Sequence, residues 1–409
     1  MANTATMVRA LDAGQGIVRL APTWVPRSFC TPGRRIRLHP DDYFALGPQR
    51  GGINERWLSS AIRADNGDLT GPNEGLSMVV GPDETLVPFD EFVGQHGAAL
   101  VGERLWRQYG RWPMYSKFFD NQRALPLHVH HRDRHAALVD KPGKPEAYYY
   151  PPQMNTTLGE QPISFLGLQP GTSKDRLLDR LKGFRHGGDN RITDLSLGYR
   201  TQLGTGWDIP GGVLHAPASI CTYEPQADCD VFSMFESWSN EREVPEELLW
   251  KDIPDPRRGD YEFLVELLDW ETNVDPDFIG HRFMSPCSTA QSHADDEQDY
   301  TEKWIVYRSP RFSAKELTVL PGRSVTIVET DAYGAVVVAG RGTVGLFAVS
   351  APTLIHYGAL TQDELFVSAP AASAGVRVTN NDATEPLVIL KHFGPGNDQL
   401  AAERPADMA

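Results

Sequence analysis

The chain of 409 residues carries 40% hydrophobic and 23% charged side chains, an ordinary globular balance at a size where a core is easily buried and two or three units are expected. Its 54 acidic against 39 basic residues leave a net charge of −15 with no Lys/Arg cluster, which disfavours nucleic acid as a partner. No apolar run approaches the ~20 residues of a bilayer-spanning helix, which disfavours a membrane partner.

The N-terminal MANTATMVRALDAGQGIVRLAP mixes small, polar and charged residues without the apolar stretch of a secretory signal, so a cytoplasmic protein is expected. Short segments rich in Val, Ile, Leu, Phe and Tyr recur over about residues 75–235. They are interrupted by two stretches of helical spacing, QHGAALVGERLWRQYG and GTSKDRLLDRLKGF. In the second, Leu177, Leu178, Leu181 and Phe184 follow a Thr/Ser start, which reads as a packing helix. Residues 236–308 form a charged, partly helical insertion, containing EREVPEELLWKDIPDPRRGDYEFLVELLDW and ending in SHADDEQDY, a run expected to be a solvated loop. From 309 onward ELTVLPG, SVTIVET, AVVVAG, GTVGLFAV, ELFVSAP, GVRVTNN and PLVILKHF are brief alternating runs with turns between them. Such spacing favours a sandwich or jelly roll over a parallel sheet. Cys30, Cys221, Cys229 and Cys287 are too few and scattered for a disulfide framework or a CxxC zinc site and are expected to be buried free thiols.

Chemistry concentrates in LPLHVHHRDRHAALVDKPGKPEAYYY. On a strand the period of two puts His128 and His130 on one face, while His131 must point to the other; His131 and His135 are read as non-ligands. A Gly-Lys-Pro turn then delivers Glu146 to the start of a neighbouring antiparallel strand. Two nitrogens and a carboxylate suit Zn²⁺, Fe²⁺ or Mn²⁺ with positions left open. A fourth ligand is supplied by His215, after the Pro-Gly-Gly turn of DIPGGVLHAPASICTYEP. HxH and a Glu followed by a lone His is the jelly-roll metal pattern of cupins. His356 has no HxH companion, so the C-terminal block is expected to be metal-free.

The order ERWLSSAIRADNG, PMYSKFFDNQRALPLHVHHRDRHA, GKPEAYYY, FLGLQPGTSKDRLLDRL and IPGGVLHAP resembles that of the type I phosphomannose isomerases, over roughly residues 50–235 and more loosely over the later β block. The resemblance implies a mainly β protein with two cupin-type jelly-roll β-sandwich domains and a helical insertion. Residues 1–235 would be the metal-binding cupin with its packing helices, 236–308 a connector or cover, and 309–409 a degenerate cupin-like domain. It implies a divalent ion, Zn²⁺ first, with Fe²⁺, Mn²⁺, Co²⁺ or Ni²⁺ compatible, on His128, His130, Glu146 and His215. Lys117 in YSKFFD and Lys144 in GKPE match that family's two pocket lysines and would bind substrate, and Lys144 and Asp228 are the residues expected to take part in catalysis.

After the fourth ligand the pattern departs. Where the family carries a Glu, an Asp and, four residues on, an Arg, the alignment gives Thr222, Asp228 and Phe232, and Pro126 replaces a Ser before the ligand strand. A phenyl ring cannot supply the bidentate anion contact of a guanidinium. The expected function is therefore a metal-dependent aldose–ketose isomerase acting through an enediol(ate) on a hexose or hexose phosphate. Two alternatives stand beside it: a bicupin metalloenzyme of other chemistry, epimerase or oxygenase, on an unphosphorylated sugar, and a non-catalytic sugar-binding cupin.

Overall fold

A computed structural model describes residues 2–156, 159–294 and 299–403; residues 295–298 of the SHADDEQDY run lie outside them. The β-rich segments assemble into stacked antiparallel sheets. A five-stranded sheet runs in the order Ser196–Arg200, Ile163–Leu168, Leu214–Ala216, His128–Val129, Ser233–Met234. It faces a seven-stranded sheet ordered Phe283–Met284, Gly206–Ile209, Glu146–Tyr149, Cys221–Ala227, Met114–Asp120, Gly52–Leu58, Thr23–Arg27. Strand period decides what each face of the larger sheet does. Along Cys221–Ala227, Glu224 lines the cavity facing the smaller sheet, while Cys221 and Tyr223 join the core on the opposite side. Glu146 and Tyr148 alternate with Ala147 and Tyr149 in the same way.

That opposite side packs on a nine-stranded sheet, which a four-stranded sheet covers in turn. Tyr149 donates to Glu316 at 2.9 Å, and Arg56 to Asp363 at 3.0 Å and Glu364 at 3.1 Å. The division into 1–235, 236–308 and 309–409 does not follow the sheets. Ile17–Ala21, Met78–Val80 and Leu86–Pro88 lie in the nine-stranded sheet, where Ile17–Ala21 pairs with Glu364–Val367 from the far end of the chain. Cys287–Ser288 and Tyr300–Val306, inside the supposed insertion, belong to that sheet too. Local patterning identifies strands, whereas these pairings are long-range.

Helices cover the outside of the five-stranded sheet. Lys174–Gly183 starts at Ser173, whose hydroxyl accepts from the Arg176 N–H, and it buries Leu177 and Leu181 against Leu264 and Leu267 of the helix Tyr261–Leu267. Leu178 is only partly buried there. QHGAALVGERLWRQYG is not continuous: Phe89–His96, Ala98–Val101 and Glu103–Tyr109 are separated by Gly97 and Gly102, both at positive φ. Among the described residues no helix is long and apolar enough to cross a membrane. No disulfide joins the cysteines; Cys30, Cys221 and Cys229 are buried and Cys287 is half-buried.

Between the seven- and nine-stranded sheets, the Tyr223 hydroxyl bonds to Nδ1 of the fully buried His392 at 2.8 Å. Burial pushes the His392 imidazole from 6.5 down to about 3. The unfolded chain therefore takes up a proton that the folded one refuses, and stability is lost as pH falls below about 6.5, by about 1.4 kcal/mol per pH unit for this group. Denaturant unfolding between pH 7 and 4 is expected to show this slope, and His392→Asn to make it shallower by about one proton.

Candidate metal centre

Two tight turns bring the centre together. Gly143 precedes Lys144 and Glu146 where a Cβ would lie 2.5 Å from the Asp133 nitrogen; the turn is tied by Gly143 N–H to Asp133 Oδ1 and Lys144 N–H to the His131 carbonyl. Gly212, at φ +87°, would place a Cβ 2.8 Å from the Asp269 nitrogen. Its N–H donates to the His130 carbonyl and its carbonyl accepts from Asn273, which also receives the Leu214 N–H. His215 is thereby set opposite His128 in register, and Glu146 faces both from the other sheet.

His128, His130, Glu146 and His215 are buried, and their potential ligand atoms lie within 4.8 Å of one another. Each imidazole is held by Nδ1 on a backbone carbonyl, that of Pro126 at 2.9 Å, Val231 at 2.8 Å and Val213 at 2.8 Å. A carbonyl only accepts, so Nδ1 carries the proton and Nε2 the lone pair. Burial, reinforced by His215 and His130, holds His128 well below its ordinary value, and burial with Lys144 brings His130 to about 3. Both imidazoles are neutral. Glu146 is held well below its ordinary value against its burial, and with the Lys144 ammonium beside it the carboxylate stays ionised. Glu146 Oε2 lies 2.9 Å from His130 Nε2, and Oε1 3.1 Å from His215 Nε2. These contacts set acceptor against acceptor, and Oε2 has no hydrogen-bond partner. Three imidazole nitrogens and one carboxylate converging on one point are a donor set that fits a divalent ion, Zn²⁺ among them.

The four ligands expected from sequence thus converge, and both lysines adjoin them. Lys144 Nζ is 3.1 Å from His130 Nε2 and 3.5 Å from Glu146 Oε2, and Lys117 lines the same cavity. Asp228 does not. It sits beyond the end of the strand Cys221–Ala227, paired with Arg111 outside the cavity. Thr222 bonds to Glu224, and Glu224 and Asp230 occupy the cavity wall. Sliding the alignment by two residues replaces Thr222, Asp228 and Phe232 by Glu224, Asp230 and Met234, a Glu and an Asp with their six-residue spacing intact. Within the strand a slide of two keeps Thr222 and Glu224 on one face, and beyond Ala227 no period separates Asp228 from Asp230, so patterning does not distinguish the two alignments. His131 bonds to Ser233 on the other side of its strand, His135 contacts Phe263, and His356 stacks on His39 and bonds to Asp42 at the surface.

From Glu146 a chain of alternating charge crosses the cavity wall. Lys144 reaches Asp230 at 4.0 Å, Asp230 holds Arg27 at 3.0 Å, and Arg27 holds Glu55 at 2.7 Å. Glu55 lies 3.8 Å from Lys117, which holds Glu224 at 3.2 Å. Arg27 comes from the edge strand of the seven-stranded sheet and Glu55 from the strand beside it; Arg27 carried no sequence signal, and Glu55 stood only as the first residue of ERWLSSAIRADNG. Burial lifts Glu224 to about 7 against the opposing pull of Lys117, with Glu146 adding to the rise. Burial also lowers Lys144, helped by Lys117, whereas Lys117 itself is raised because Glu224 and Glu55 outweigh its burial. The cavity among these groups has a volume of about 30 Å³, room for about two water molecules, and it shares Phe29 and Phe232 with a wider groove of about 410 Å³ outside it.

No protein-family model and no curated protein matches the chain, but solved structures do. A mutant of the phosphomannose isomerase from Salmonella typhimurium superposes with a TM-score of 0.63 at 11% identity, over 93% of this chain and 100% of that one. The mannose 6-phosphate isomerase of Bacillus subtilis gives 0.58 at 16%, with 93% and 100% covered. A zinc-bound mannose 6-phosphate isomerase gives 0.62 at 11%, with the same coverage. The chain shares the fold of these proteins across nearly its whole length, as a mainly β, cupin-type architecture.

Elemental analysis of the purified protein is expected to find about one divalent ion per chain. Glu146→Gln, which keeps the shape but removes the charge, and His215→Ala are each expected to lose most of it.

Proposed function

We propose that this protein is a metal-dependent aldose–ketose isomerase of a hexose-sized sugar. The observation that carries the reading is a metal-ready donor set that shares a cavity with a buried carboxyl group, Glu224, lifted to about 7. The fold shared with phosphomannose isomerases supports it. A divalent ion on His128, His130, Glu146 and His215 would supply Lewis acidity to adjacent sugar oxygens.

The protein's own groups then divide the work. Glu224 accepts the proton from the carbon next to the carbonyl and returns it to the neighbouring carbon, so aldose and ketose interconvert with no net gain or loss of atoms. A carboxyl group titrating near neutrality is suited to both halves of that exchange. Lys117, 3.2 Å from Glu224, holds it in place and orients sugar hydroxyls. Lys144, beside His130 and Glu146, offers its ammonium to oxygen charge developing at the metal side. Asp230 is held well below its ordinary range because Arg27 and Lys144 outweigh its burial, so it serves as a fixed counter-charge that positions Lys144. Asp228, bound to Arg111 outside the cavity, has no part in this scheme.

Incubation with a hexose in deuterated water should introduce deuterium at C2. Glu224→Gln should lower the exchange by about 10²- to 10⁴-fold while the ion content stays at the wild-type level. Asp228→Asn should stay within about twofold of wild type, as expected of a group outside the site. Loss of the ion in Glu224→Gln, or unchanged exchange, would remove Glu224 from the proton-carrying role.

A further inference from the structure

The charges and the apolar lining of the cavity specify more than a metal site. Among the described residues lining it, the cations are Arg27, Lys117 and Lys144 and the carboxylates Glu55, Glu146, Glu224 and Asp230. Each cation is already committed. Arg27 bonds to Glu55, Asp230 and Asn66, Lys117 pairs with Glu224 and Glu55, and Lys144 lies between Glu146 and Asp230. A dianion entering here would have to break a buried pair, leaving a carboxylate uncompensated.

The remainder of the lining is apolar. Phe119, Leu125, Phe232 and Met234 belong to one buried cluster against which Phe29 packs. Phe29 and Phe232 meet edge to face at 5.9 Å and line both this cavity and the wider groove outside it, so the apolar surface forms the mouth. In that outer groove the cations are matched as well. Lys251 is held by Asp65 at 2.9 Å and Asp252 at 3.2 Å, and its ammonium lies 4.9 Å from the Phe232 ring. Arg50 is bound to Glu74, and Arg258 lies 3.3 Å from Asp255.

We propose that the site takes an uncharged sugar, whose end remote from the metal ligands rests its C–H faces on Phe29, Phe119, Phe232 and Met234, and that it discriminates against sugar phosphate esters. This rests on the isomerase reading for the sugar's orientation, whereas selection against the phosphate rests on the pairing of Arg27, Lys117 and Lys144 with the carboxylates around them. Carbohydrate C–H faces pack on aromatic rings, whereas a phosphate needs an unpaired Arg or Lys fork.

The test uses the metal-loaded protein and two ligands that cannot isomerise, mannitol and mannitol 1-phosphate, measured by calorimetry beside isomerisation assays on free hexoses and hexose 6-phosphates. Mannitol is expected to bind at least about tenfold more tightly than its phosphate, an inversion of what one unpaired guanidinium would give. Phe29→Arg, at the half-buried mouth, is expected to raise affinity for the phosphate by about tenfold or more. Equal or tighter binding of the phosphate by wild type would overturn the proposal, as would the binding of neither ligand, or a Phe29→Arg protein that folds but gains nothing. The two readings fail separately. Preferential binding of mannitol with no isomerisation of any hexose would sink the isomerase reading alone, whereas isomerisation with preference for the phosphate would sink this one alone.

Discussion

Three hydrogen bonds from imidazole Nδ1 to backbone carbonyls decide what the core of this protein can be. They aim the imidazole Nε2 atoms at a buried carboxylate that has no proton to donate, an arrangement that costs free energy unless a cation completes it. Because the anchoring carbonyls belong to Pro126, Val213 and Val231, the orientation of the ligands is a property of the backbone. The remainder of the polar wall follows from Glu146: its charge requires Lys144, Lys144 requires Asp230, and the sequence of alternating signs continues through Arg27, Glu55 and Lys117 to Glu224. Glu224 stands last and is the one carboxyl group of that series lifted above its ordinary value. The same electrostatics that keeps Glu146 ionised at the start of the series leaves Glu224 titrating near neutrality at its end.

The strand Cys221–Ala227 joins this chemistry to the rest of the fold. One of its faces carries Glu224 and the other carries Tyr223, which bonds to His392 of the nine-stranded sheet. A shift of that contact displaces the carboxyl group, because neighbouring side chains on a strand share one backbone. The nine-stranded sheet thus acts as a rigid backing for the site, although among the described residues none of its strands lines the cavity.

The ligand set was legible because it is local chemistry. HxH on a strand, a Glu after a Gly-Lys-Pro turn and a His after Pro-Gly-Gly each declare position through turn geometry and period two. Lys117 and Lys144 were legible only as neighbours of those ligands. Glu224 and Asp230 were missed by a two-residue slide that patterning does not distinguish, hence Asp228 was put in their place. Arg27 and Glu55 reach the cavity only through strand order, which no single segment encodes. The same limit explains the domain boundaries: Ile17–Ala21 and Tyr300–Val306 read as strands, but the sheet they join is fixed by partners far along the chain.

That first pairing also sets an order of events during synthesis. One edge of Ile17–Ala21 meets Met78–Val80, close by in the chain, whereas its other edge, where Ile17 lies opposite Val367, stays unpaired until Glu364–Val367 has been made. The strands that hold the four ligands all lie between residues 128 and 216 and can meet long before this closure. The late step, with its low local contact and high loop entropy, concerns the backing sheet alone, and until it is complete the apolar edge of Ile17–Ala21 stays open to other strands. The chain can therefore assemble its chemistry early, while one edge of Ile17–Ala21 waits for a partner almost 350 residues further along.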